Sequence, residues 1–120
     1  MAQPNIVSVA QIYGQTRGDT LTGSNAALVT CASEYVYKIN TIIVTNTHGS
    51  TAIDVTLYFY DSSLAARYEI ASTISVPADT SIVVIDKNSS IYLEEGDKIE
   101  GFCGSSGNIK TIISYEAIID

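Results

Sequence analysis

The sequence predicts an all-β protein, and three observations support this prediction. Charged residues make up only 16% of the 120 residues, and Thr, Ser, Ile, Val and Tyr take their place, residues that suit a pleated, half-buried sheet. Apolar residues alternate with a period of two, and no window keeps the 3.6-residue period of a helix. Turn residues recur about every 8–12 residues, which is typical of a sandwich or small barrel. We therefore expect one antiparallel β-sandwich, jelly-roll or immunoglobulin-like, of about eight strands.

The N-terminal part of the chain combines candidate strands with a polar stretch. Residues 5–13 and 26–32 are candidate strands, whereas Gly14 to Asn25 is polar and Gly-rich and is expected to be an exposed loop. A length of 120 residues corresponds to one domain, so we assign residues 1–120 to a single sandwich. Within it, residues 1–25 are a possible arm or loop that contacts a neighbouring subunit by adding to a sheet edge.

The clearest strand lies at residues 53–60. Its apolar side chains fall on one side of the strand and its other side chains on the opposite side, which predicts one buried and one partly wet face. The predicted buried face carries Ile53, Val55, Leu57 and Phe59, and the predicted wet face carries Asp54, Thr56, Tyr58 and Tyr60. The preceding β-branched run, residues 35–47, ends in turn residues around Gly49. We therefore predict an antiparallel hairpin over residues 35–60.

The C-terminal half continues the same alternation of strands and turns. Turn residues separate the segments at Pro77–Asp79, Lys87–Ser90, Glu95–Asp97 and Gly104–Asn108. The predicted strands are residues 67–76, 80–86, 90–94, 97–103 and 108–119. The only helix candidate is a single turn at residues 62–66.

The charge balance excludes some partners. Six basic and thirteen acidic residues give a net charge of −7, and the whole excess lies in residues 51–120. Binding to nucleic acid or to an anionic membrane requires clustered Lys and Arg, so we expect neither partner. The sequence shows no secretory signal pattern and no apolar run near the roughly 20 residues that span a bilayer. We expect synthesis and folding in the cytoplasm.

The residues that could support catalysis are few. His48 is the only histidine, and we interpret it as an exposed turn residue rather than a general base or metal ligand. Cys31 and Cys103 lack zinc-site spacing and are interpreted as buried free thiols. Hydrolase and nucleotide-binding motifs are absent. We expect no catalytic residues and no cofactor.

The best candidate for a metal site is an acidic cluster around a turn, formed by Glu94, Glu95, Asp97 and Glu100. Such carboxylates could hold a calcium ion, and a carboxylate pair could hydrolyse a glycosidic bond. Strand alternation does not direct all four to the same side, which favours a solvated acidic turn.

Two further groups are candidates for an interface. Arg17 and Asp19 belong to an Arg-Gly-Asp tripeptide that we interpret as part of a flexible loop. Tyr58 and Tyr60 lie on the wet face of their strand, where tyrosine suits either cross-strand packing or contact with a partner.

Two segments resemble the short virion structural proteins of tailed bacteriophages, particularly those of cyanobacterial phages. The first is the β-branched strand Tyr37–Thr47, which closes in Thr-Asn-Thr; the second is Ser75–Thr80 followed by Ile91–Ile99 with its Gly-Asp turn, and then Ile112–Glu116. The resemblance covers about residues 35–119 and consists of strands and turns.

The resemblance implies a non-enzymatic role in the virion. The chain would decorate or cement the capsid, or belong to the neck or tail, as a homo-oligomer in contact with other virion proteins. The alternative is a carbohydrate-binding sandwich of an adhesin or receptor-binding protein, with Tyr58 and Tyr60 as its platform and calcium at the acidic turn. The absence of Trp weakens this alternative.

Overall fold

Nine β-strands make up most of residues 11–119, the part of the chain that the structure, a computed structural model, describes. The strands are β1 (Gln11–Thr20), β2 (Ala26–Thr30), β3 (Val36–Asn46), β4 (Ile53–Asp61), β5 (Ala66–Val76), β6 (Thr80–Ile85), β7 (Ile91–Leu93), β8 (Lys98–Cys103) and β9 (Ile109–Ile119). A 3₁₀-helix, Lys87–Ser89, links β6 to β7. Within residues 11–119, no helix combines the length and apolar character needed to cross a membrane.

The strands form two antiparallel sheets. Sheet A has the order β1-β9-β3-β6, and β7 pairs with β3 beyond the end of β6; sheet B has the order β2-β8-β4-β5. Consecutive strands change sheet except at β4–β5 and β6–β7. Because β6 and β7 share one edge of β3, the two sheets together have eight strand positions. This connectivity is that of a jelly roll, so the prediction of an all-β sandwich is confirmed.

The core lies between the sheets and follows the predicted alternation. Ile39 and Ile42 of sheet A and Val55 and Leu57 of sheet B are fully buried, and Ile53 is nearly so. Phe59 at the end of the apolar face of β4 is half-buried and packs against the same core. The face assigned from the sequence is therefore the face that the fold buries.

The predicted hairpin over residues 35–60 is wrong, although both of its strands exist. β3 belongs to sheet A and β4 to sheet B, so the connection between them passes from one sheet to the other. Asn46, fully buried, stabilises this crossing: its Nδ2 donates to the carbonyls of Thr51 (2.9 Å) and Val76 (3.0 Å), and its Oδ1 accepts from the amide of His48 (2.8 Å). These bonds give a buried amide the partners it needs.

The predicted loop from Gly14 to Asn25 is also wrong over most of its length. Residues up to Thr20 belong to β1, which pairs with β9 from Gln11 opposite Ile119 to Thr20 opposite Lys110. The pairing uses backbone groups, so a polar, Gly-containing sequence can form it. Of the candidate strand 5–13, residues 5–10 lie outside the described part of the chain.

The predicted helical turn at residues 62–66 is not a helix either. Residues 62–65 form the turn between β4 and β5, which is the hairpin that the fold does contain. The short helix lies instead at Lys87–Ser89, where Asp86 caps its start by accepting from the amide of Asn88 at 2.9 Å.

Candidate interaction surfaces

Strand β1 is an edge strand that is exposed on both faces. Of its ten residues only Asp19 is half-buried, and the others, among them Ile12 and Tyr13, are exposed. Arg17 Nε donates to Asp19 Oδ2 at 3.0 Å on one face of the strand. The two interface candidates thus lie on an ordered strand rather than in the flexible loop we expected. An edge strand of this length presents unpaired backbone groups to a second chain.

A row of aliphatic side chains crosses the outer face of sheet A. Val83 of β6 lies opposite Ile43 of β3, which lies opposite Ile112 of β9. Val83 and Ile112 are 57% and 45% exposed. None of the interface candidates from the sequence belongs to this row. Adjacent apolar pairs such as Ile42-Ile43 and Ile112-Ile113 nevertheless indicate a strand that is apolar on both faces.

Hydroxyl side chains border this row. Thr45 and Ser81 are hydrogen-bonded at 2.7 Å, and Thr16 and Ser114 at 3.1 Å. On the same outer face Lys110 donates to the hydroxyl of Thr20 at 3.1 Å. The outer face of sheet A is therefore a low-charge surface with an apolar centre, which suits contact with another protein.

An apolar groove opens between the sheets at the side formed by β5, β6 and β7. Its volume is about 380 Å³. Sheet B contributes Phe59, Tyr68, Glu69 and Ile70, and sheet A contributes Ile85, Ile91 and Tyr92. Glu69 is the only charged residue among them, and the rings of Tyr68 and Tyr92 are about half exposed. None of these residues was a candidate from sequence, because they come from four strands.

Tyr58 and Tyr60 lie on the outer face of sheet B, as predicted. The Tyr60 ring lies between two cations: Arg67 Cζ is 5.2 Å and Lys98 Nζ 5.1 Å from its centroid. The Tyr58 ring lies 6.2 Å from that of Phe102 on the neighbouring β8. Both tyrosines are half-buried by these cross-strand contacts.

Glu100, a buried carboxylate, forms an ion pair on this face with the half-exposed Arg67. Arg67 Nε donates to its carboxylate at 2.6 Å and Asn25 Nδ2 at 3.1 Å, and the Glu100 side chain is only 5% exposed. Burial alone would raise the pKa of Glu100, but these hydrogen bonds and the charges of Arg67 and Lys98 outweigh it, so the pKa is lowered. Glu100 is thus a paired carboxylate.

Two other carboxylates of the acidic cluster, those of Asp97 and Glu95, also have their own partners. Asp97 is buried and accepts from the amides of Ser62 and Glu94, both at 3.0 Å, while Glu95 accepts from the amide of Glu34 at 2.7 Å. Within residues 11–119, no three His, Cys, Asp or Glu side chains are grouped closely enough to hold a metal ion. The fold does not bring the four calcium candidates into one site.

His48 and the two cysteines each have their own hydrogen-bond partners. His48 Nδ1 accepts from the amides of Ser50 and Thr51, so the ring stabilises the connection between β3 and β4. Cys31 and Cys103 are buried free thiols, each donating to a carbonyl at 3.2 Å: that of Tyr35 and that of Ser105. Burial raises the pKa of Cys31 to about 11, which disfavours the nucleophilic thiolate.

Comparison with known proteins gives similarity in fold alone. No protein-family model and no curated protein sequence matches the chain. A capsid structure of Helicobacter pylori bacteriophage KHP30 superposes with a TM-score of 0.55 at 7% identity, covering 93% of this chain and 90% of that chain. Bacillus endospore appendages, described as disulfide-linked pili, give 0.53 at 14% identity, with 92% and 88% covered. Infectious bursal disease virus gives 0.50 at 12% identity, and this chain spans 33% of the viral chain.

Proposed function

We propose that this chain is a non-enzymatic structural protein of a tailed-phage particle, which acts by contacts with copies of itself and with other virion proteins. Two lines of support are the resemblance over residues 35–119 and the jelly-roll fold, which is similar to that of a phage capsid chain. The site of action is the virion, and the protein is made in the host cytoplasm.

The observation that carries the proposal is the amount of contact surface that the single chain leaves open. β1 is exposed on both faces, and an aliphatic row crosses the outer face of sheet A. An apolar groove opens at the edge of the sandwich away from β1, beside β6 and β7. Ordinary soluble monomers protect edge strands and rarely leave several apolar surfaces uncovered. Assembly would bury these surfaces.

Within the particle, we assign the chain to capsid decoration or cement, or to the neck or tail. A small sandwich with a low-charge outer face on sheet A can add to a preformed surface through limited contacts. Residues 1–25, with Arg17 and Asp19 on β1, are the proposed inter-subunit arm or loop. Tyr58 and Tyr60 offer a second contact on sheet B.

Sedimentation velocity over a wide range of protein concentration tests the proposal. We expect a closed oligomer such as a trimer, pentamer or hexamer, because symmetric closure buries the same surfaces on every copy. The double variant Val83→Lys, Ile112→Lys places charge in the aliphatic row and should weaken assembly. Thr30→Lys, an exposed change on sheet B, is the matched control. A monomer at all concentrations would contradict the proposal.

The sugar-binding alternative has less support. Tyr58 and Tyr60 do lie on an outer face, but their rings already pack against Phe102, Arg67 and Lys98. A glycan array with and without calcium tests this alternative. Binding that disappears in a Tyr58→Ala, Tyr60→Ala variant would favour it over assembly.

A further inference from the structure

We propose that the groove between β5, β6 and β7 is the docking site for residues 5–10 of a second copy of this chain, which add as a strand along β5. The inference rests on the proposed assembly and specifies its contact. It explains why an apolar groove and an unpaired strand edge occur side by side.

The groove offers both requirements of strand addition. β5 is the last strand of sheet B, so among residues 11–119 no strand pairs with the backbone N–H and C=O groups on its outer edge. Phe59, Tyr68 and Ile70 on one wall, with Ile85 and Ile91 on the other, form apolar pockets for alternate side chains of an added strand. Backbone pairing supplies affinity and such pockets supply specificity.

The chemistry of residues 5–10 fits this groove. The segment reads Asn5-Ile6-Val7-Ser8-Val9-Ala10, and residues 1–10 contain no charged side chain, although the whole chain carries −7. In an extended strand Val7 and Val9 share one face, and Ile6 and Ser8 share the other. A neutral, β-branched segment can enter an apolar groove beside Glu69 without burying a second charge.

The position of β1 favours a second copy over the same chain. β1 begins at Gln11, opposite Ile119 at one end of sheet A, and lies at the edge opposite β6 and β7. The groove is thus three strand spacings away, about 14 Å, across the sheet. Six more residues continued along the direction of β1 would reach about 20 Å beyond that end of the sheet, away from the chain's own groove.

Cross-linking between two variants, each with one added cysteine, tests the inference on the full chain. A Ser8→Cys chain is mixed with a Glu69→Cys chain and treated with a short bismaleimide, which joins exposed thiols; Cys31 and Cys103 are buried. We expect a covalent dimer in this mixture. Thr30→Cys, also exposed but on β2 at the opposite edge of sheet B, replaces Glu69→Cys in the control and should give at least fivefold less dimer.

A second variant tests the apolar contact itself. Val9→Asp in the Ser8→Cys chain should lower the dimer yield at least fivefold, because it would place a carboxylate in the groove. An equal yield with Thr30→Cys, or a yield unaffected by Val9→Asp, would overturn the inference. A dilute double variant, Ser8→Cys with Glu69→Cys, tests docking within one chain. A cross-link that forms only within single chains of this variant would assign the groove to the chain's own segment and would also overturn the inference.

Sedimentation of the same mixtures separates the two proposals. An oligomer in which Ser8→Cys and Glu69→Cys do not cross-link means that the chain assembles through another surface, so this inference fails while the proposed function stands. A monomer in every mixture contradicts both.

Discussion

The carboxylate of Asp97 holds two turns together. It accepts from the amide and the hydroxyl of Ser62, in the β4–β5 turn, and from the amide of Glu94, which precedes β8. Three donors point at this one buried carboxylate and occupy most of the lone pairs that a calcium ion would need. Asp97 therefore has a structural role. An acidic residue stands at position 97 because the turns need an acceptor for these hydrogen bonds.

We expect Asp97→Asn to destabilise the fold by about 2–3 kcal/mol, because the amide nitrogen of Asn cannot accept and leaves a buried donor unpaired. Urea unfolding of the variant and the wild type measures the loss. The matched control is Glu94→Gln, at an exposed side chain, which should change the unfolding free energy by less than about 0.5 kcal/mol. A thermal midpoint that rises with added calcium in the wild type would contradict this interpretation.

The lowered pKa of Glu100 predicts how the stability of the fold depends on pH. Its pKa is lower in the folded chain than its ordinary value of 4.5. Such a carboxyl stabilises the fold above the unfolded pKa and loses that contribution as the pH falls through the folded pKa. The contribution of Glu100 should therefore be complete near neutral pH and should decline below about pH 4.5.

Unfolding free energies of the wild type and Glu100→Gln at several pH values measure this effect. We expect the difference between them to be largest near neutral pH and to shrink as the medium becomes acidic. Glu116→Gln, at a half-buried residue of β9, serves as the control carboxylate. A difference that stays constant from neutral pH to about pH 3 would show that the Glu100 ion pair does not stabilise the fold.

At the scale of elements, most strand positions were predictable, whereas the position of β1 and the strand partners were not. β4 was expected at residues 53–60 and spans Ile53–Asp61; β3 was expected at residues 35–47 and spans Val36–Asn46. A period of two identifies the buried face of each strand. The same pattern suits two strands that pair in one sheet and two strands that face each other across a core, so the hairpin prediction failed.

Asn46 is the side chain that favours the crossing, and its replacement should be costly. Asn46→Leu has a similar shape but leaves the carbonyls of Thr51 and Val76 and the amide of His48 without this partner, so we expect a loss of about 3 kcal/mol or more. Chemical denaturation measures it. Thr47→Val, at the exposed neighbour whose hydroxyl donates to Asn108, should cost less than about 1 kcal/mol. Equal losses in the two variants would argue against a special role for Asn46.

At the scale of the whole molecule, both thiols are enclosed by the sandwich. Cys31 and Cys103 are each 2% exposed, and nothing short of opening the core exposes them together. Their expected identity as buried free thiols is confirmed. A thiolate-dependent reagent can therefore reach them only in opened molecules.

We expect native chains to react with a thiol reagent such as Ellman's reagent at least 100-fold more slowly than urea-unfolded chains at the same pH. The reaction is followed by absorbance. A Ser81→Cys variant, which adds one exposed thiol, is the control and should show one fast equivalent above the slow pair. Rapid reaction of both native thiols in the wild type would contradict the closed core.

The sequence by itself determined that the chain is a β-sandwich, where most of its strands lie, and that Val55 and Leu57 face the core. The tertiary structure decided which sheet each strand joins, and therefore that β1 is an exposed edge and that Phe59, Ile70 and Ile91 line one groove. The reason is physical. Burial of side chains follows a period along one strand, whereas pairing uses backbone groups that every residue shares, so the partner of a strand is fixed only when all strands compete for the same core.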